Sequence, residues 1–93
     1  MTRQGDAKRN AEREALGLRL QVLRVHTGLS QKQVAEAIEV RRASLGAWEA
    51  GTSEPGALDV PKLADLFKVD VRVILGRAPM PEIKAATQTG APE

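Results

Sequence analysis

Apolar residues recur at helical spacing along most of the chain, and the gaps between the runs carry stop and start signals of their own. Leu16, Leu20, Leu23 and Thr27 share one face of a first helix expected from Ala7 to His26, with Arg13, Arg19, Gln21 and Arg24 between them. Gly17 costs such a helix about 1 kcal/mol relative to Ala, so its presence points to close packing there. Thr27-Gly28 stops the helix, because Gly accepts the left-handed conformation common at helix C-termini. The next start is unusually complete. Ser30 can cap a helix while Gln33, three residues on, closes a capping box, and Leu29 and Val34 hold the two positions of a hydrophobic staple. Val34, Ala35 and Ile38 then mark the buried face of a short second helix.

Glu39-Val40-Arg41 has room only for a tight turn, with Val40 pointing inward. A third helix is expected from Arg42 to Ala50, anchored in the core by Leu45 and Trp48 and stopped by Gly51. Thr52 to Leu58, with Pro55 and Gly56, reads as a loop. Asp59 is expected to cap a fourth helix, with Pro61 in its first turn, where the missing N–H does no harm. Leu63, Leu66 and Phe67 form its apolar stripe. Asp70 caps a last short helix through Val73, Ile74 and Leu75, closed by Gly76. From Arg77 onward Pro79, Pro81 and Pro92 interrupt a run with no periodic stripe. The expected organisation is a polar, partly helical extension (1–15), one domain (16–76) and a tail (77–93) that is disordered alone. The alternative for the tail is docking of Met80 and Ile83 on a partner or second subunit.

Composition narrows the chemistry. With one Phe, one Trp and no Tyr, the core is built from Leu, Val, Ile and Ala, a palette that favours helices over a sandwich or barrel. In 93 residues a deep enzyme pocket would compete with the core for the same apolar side chains. The absence of Cys excludes disulfides, thiolate zinc sites and Cys nucleophiles. His26 is the single histidine, which argues against a His-ligated metal or a Ser-His-Asp triad; its place near a helix C-terminus suits a partial positive charge. No cofactor is expected. The first ten residues lack the apolar region of a signal peptide and no apolar run approaches a membrane span, so a soluble, cytoplasmic protein without a membrane partner is expected. Met1 to Ser53 holds nine Lys/Arg against six Asp/Glu, and Glu54 to Glu93 five against six. A basic front half is compatible with a polyanion but is weak support for one.

The second and third helices, joined by a three-residue turn, have the form of a DNA-reading unit in which one helix braces and the next enters the major groove. The stretch Gly28-Leu29-Ser30-Gln31, then Val34-Ala35, Leu45 and Trp48-Glu49-Ala50-Gly51 resembles the Cro/repressor, or XRE-type, helix-turn-helix family. The likeness continues through Pro55, Leu63-Ala64, Val69 and Leu75-Gly76, and covers about residues 16–76. The resemblance implies an all-α, compact five-helix fold of the lambda-repressor kind. It makes Gln31 a backbone-contacting helix-start residue, Arg41, Arg42, Ala43, Gly46 and Ala47 the outward face of the recognition helix, and Arg24 with Glu49 a pair bridging the first and third helices. Against the family's pattern, Glu39 stands where Gly is usual in a left-handed turn, Arg41 stands where Ser or Thr commonly caps, and Pro61 delays the fourth helix. Gly46 weakens the helix interior, and Ala43 and Ala47 offer no hydrogen-bonding group.

The leading expectation is a non-enzymatic, sequence-specific transcription regulator, a homodimer on a two-fold symmetric site in double-stranded DNA. Gln31 and Lys32 would meet phosphates; Arg42, with Arg41, would read guanine edges; Ser44 adds a polar group; Ala43 and Ala47 accept thymine methyls. Two Arg at the start of a recognition helix favour DNA over solvated turn charges. Lys8, Arg9 and Arg13 fit either an arm reaching the DNA or a solvated helix face. The rival is a protein-interaction module of antitoxin or anti-repressor type, supported by the sparse recognition helix.

Overall fold

The computed structural model describes residues 3–81, with side chains from Ala7 onward. Among these residues there are five helices and no strand: α1 (Arg3–Thr27), α2 (Gln31–Ile38), α3 (Arg42–Ala50), α4 (Asp59–Phe67) and α5 (Val71–Ile74). α1 begins at Arg3, four residues before the apolar periodicity announces it, and places Lys8, Arg9 and Arg13 on a helix rather than an extended arm. Of the expected docking residues, Met80 packs with Ala78 against the core, while Ile83 lies outside the described residues.

One core joins all five helices. Leu20 and Leu23 of α1, Val34 and Ile38 of α2, Leu45 and Trp48 of α3, Val60, Leu63 and Phe67 of α4, and Val73 and Ile74 of α5 are buried together. Each supplies roughly 1.5–3 kcal/mol of transfer free energy on burial. Trp48 is core, as its spacing from Leu45 requires. Leu29 and Val40 pack against the same cluster from the two turns flanking α2.

α3 lies against α1 without a side chain between the backbones. A Cβ on Gly17 would stand 2.3 Å from the Trp48 carbonyl oxygen and 2.7 Å from that of Glu49. Only glycine permits this approach, which explains a helix-weakening residue in the middle of α1. At the far end of α3, Gly51 is left-handed (φ 81°), and a Cβ there would meet the Glu14 backbone at 2.9 Å.

Two termini depart from expectation. Asp59 does not cap α4; it is the first helical residue, and Leu58 (φ −83°, ψ −16°) precedes it without a side-chain cap. The chain is already turning at Gly56, whose carbonyl accepts from the Asp59 and Val60 N–H groups, while the Asp59 carboxylate accepts from the Gly56 N–H at 3.2 Å. That carboxylate therefore closes the loop behind it. Lys68 ends α4 in a left-handed conformation (φ 60°), for which its residue type gives no signal. Asp70 caps α5 as expected, accepting from the Arg72 N–H at 2.8 Å. α5 is also tied to α1, because Arg19 Nε donates to the Ile74 carbonyl at 2.8 Å.

Candidate nucleic-acid interface

The α2 start is built as its sequence specifies. The Gln33 N–H donates to Ser30 Oγ at 3.0 Å, and the Ser30 N–H donates to Gln33 Oε1 at 2.8 Å, so both halves of the capping box are formed. The turn after α2 runs through Glu39, which is left-handed at φ 61°, ψ 47°. A side chain there costs on the order of 1 kcal/mol. The turn recovers part of it, since the Glu39 N–H reaches Glu36 and the Val40 N–H reaches the Ala35 carbonyl at 3.0 Å. Arg41 stands at the start of α3 in extended conformation and makes no side-chain cap.

Behind this turn, one carboxylate fastens three helices. Glu49 Oε2 accepts from Arg24 Nε at 2.6 Å, and Oε1 accepts from Arg24 Nη2 at 3.1 Å and from Gln31 Nε2 at 3.0 Å. Arg24 Nη1 also donates to the Leu29 carbonyl at 3.0 Å. The two charged side chains are only 14% and 6% exposed, and none of their buried polar atoms lacks a partner. A buried pair of this kind adds little net stability over an apolar filling, but its bidentate geometry fixes how α3 sits on α1. The bridge implied between Arg24 and Glu49 is present.

The remaining site residues fall into two groups. Lys32, Arg41, Arg42 and Ala43 are exposed; Gln31, Ser44 and Ala47 are half-buried. The start of α2 lies against the middle of α3, for Gln31 Oε1 would lie 3.8 Å from a Cβ on Gly46. Gln31 thus commits one of its two amide N–H donors to Glu49, which leaves the second, with its main-chain N–H, to offer an anion. Four donors without helical partners, the N–H groups of Gln31, Lys32, Arg42 and Ala43, sit at these helix starts beside three cationic side chains. Arg9 and Arg13 point elsewhere, pairing with Glu54 at 3.9 and 3.3 Å. Among the described residues no cluster of His, Asp or Glu could hold a metal ion, and no helix is long and apolar enough to cross a membrane.

A family model described as helix-turn-helix matches residues 20–74, more than half of the chain. The chain belongs to the XRE-type helix-turn-helix family. The matched span runs from the first buried leucine of α1 to the last buried residue of α5, so the family likeness and the core coincide. As a member it is a DNA-binding regulator of this type, in a family that is generally non-enzymatic. Searches of curated proteins and of solved structures find no match to the chain.

Sequence reasoning missed two anchors, Arg19 on the Ile74 carbonyl and Glu54 under Arg9 and Arg13. Both join residues more than forty positions apart by single contacts, and no local pattern marks them.

Proposed function

We propose that the chain regulates transcription as a homodimer, each copy laying the first turn of α3 into the major groove of one half of a two-fold symmetric operator. The observation that carries this reading is the division of α3. From Leu45 onward it is fastened through Leu45, Trp48 and Glu49, while Arg41, Arg42 and Ala43 at its start are exposed, as is Lys32 in the first turn of α2. Arg42 is the principal base reader, because a guanidinium can donate to O6 and N7 of one guanine while Ala43 and Ala47 can meet only a thymine methyl. Lys32 and the main-chain N–H groups at the α2 start hold phosphates and set register. Ser44, half-buried, is a secondary contact.

Selection from random DNA followed by salt titration tests the reading. Arg42→Ala is expected to cost about 1–3 kcal/mol per half-site and to relax preference at one base position. Lys32→Ala should weaken all sequences alike and flatten the salt dependence. Half-sites about 34 Å apart are expected in the footprint. Equal loss on selected and random DNA would make Arg42 a phosphate contact. No loss on either, with the fold intact, would favour a protein-binding module, the reading that the alanines of the outward face support.

A further inference from the structure

α1 carries a second apolar stripe that the core does not use. Ala11, Ala15, Leu18, Val22 and Val25 follow one another at alternating steps of four and three, the spacing of a coiled-coil seam. They lie opposite the buried stripe of Leu16, Leu20 and Leu23. Leu18 is 59% exposed and Val25 61%, Ala11 and Ala15 are exposed, and Val22 is half-buried. A solvent-facing stripe of this kind on a 25-residue helix is not needed to close a core that engages α1 from Leu16 onward.

We propose that this outer face of α1 packs against the same face of a second copy of the chain and forms the dimer contact. The proposal deepens the two-half-site reading above and rests on it for the need of a second copy. The flanking charges favour self-association. Beside the seam stand Glu12 and Arg19 on one edge and Glu14 and Gln21 on the other. With the two helices parallel and in register, Glu14 of each copy lies next to the partner's Arg19; with them antiparallel, Glu12 does. Neither arrangement sets like charges together. Arg19 Nε is held by the Ile74 carbonyl, and among the described residues Arg19 has no carboxylate within ion-pair distance in its own chain, so its Nη groups are what remain for the partner's carboxylate. The seam from Ala11 to Val25 is roughly 21 Å long. One helix pair of that length buries less than the ~1,200 Å² of a standard interface, which fits association at micromolar concentration, strengthened when both copies hold adjacent half-sites.

The test measures the mass of the full chain by sedimentation across concentrations up to about 100 µM, in wild type and in Leu18→Glu/Val25→Glu. The expected result is a reversible dimer whose dissociation constant rises on the order of 100-fold in the double variant, with thermal stability extrapolated to low concentration unchanged. Leu58→Glu, at a position 80% exposed outside the seam, should leave the dimer intact. A wild type that stays monomeric, or a double variant that dimerises as tightly, overturns the proposal. If the double variant remains dimeric and footprints two half-sites, the operator reading stands and only the surface is wrong. If the wild type dimerises through α1 yet protects one half-site, the surface stands and the operator reading fails.

Discussion

α2 and α3 differ by one residue in length, yet they begin in opposite ways. α2 starts with a reciprocal capping box that its own sequence completes; α3 starts on an arginine that caps nothing. The first helix is defined locally and the second is defined by what it packs on. Leu45, Trp48, the close approach to Gly17 and the Glu49 carboxylate do for α3 what Ser30 and Gln33 do for α2. The lesson is that an uncapped helix start leaves N–H groups and cationic side chains available for another molecule, provided the far end of the helix is held firmly.

Four measurements would break or sharpen that contrast. The largest effect should come from Arg24→Ala, which leaves Glu49 buried beside Gln31 alone. A loss of about 3 kcal/mol or more in urea unfolding is expected, and a loss well below 1 kcal/mol would mean that Glu49 does not hold α3. Gly17→Ala comes next, at about 1–3 kcal/mol, because the new methyl must push the Trp48 and Glu49 carbonyls away. Helix propensity alone predicts a gain of about 1 kcal/mol at this position, so the sign of the change in melting temperature decides between them. Changes to the two helix starts should then move in opposite directions. Ser30→Ala should lose about 1 kcal/mol, whereas Arg41→Ser should gain a similar amount by supplying the missing cap while weakening DNA binding. If both destabilise equally, the α3 start is not available in the way its geometry implies.

The smallest effect belongs to Asp70. The Arg72 N–H and the Arg72 guanidinium hold its carboxyl below the ordinary aspartate range. Its contribution to the α5 start is complete above that ordinary range and fades as pH falls through the lowered value. An NMR titration of the Asp70 carboxyl should show the lowered midpoint, and Arg72→Ala should move it up.

What was legible in the chain was what sits close together along it. Ser30 with Gln33, Asp70 before Val71, and Gly28, Gly51 and Gly76 at helix ends all act within a few residues, so residue type alone announces them. Gly17 was legible through its cost. The Asp59 expectation failed because a carboxylate at a helix start can bond forward as a cap or backward into the loop, and the early turn at Gly56 selected the second. The left-handed Lys68 was illegible because lysine has no preference for that conformation. The exposed face of α1 escaped notice for a different reason: Leu16, Leu20 and Leu23 already accounted for a helix, and a second apolar stripe adds nothing to that inference.

The fastening of α3 by its second half has an evolutionary consequence. Residues 41–44 bear little of the fold's weight: three of them are exposed and Ser44 makes only main-chain helical bonds. On the proposed reading, substitutions there would alter which bases are met while Leu45, Trp48, Glu49 and Gly17 keep the helix seated. On that reading, descendants of this chain would drift from one operator to another through single changes in the first turn, without passing through an unstable intermediate. Changes at Gly17 or Glu49 have no such freedom, and the two halves of a nine-residue helix should diverge at different rates.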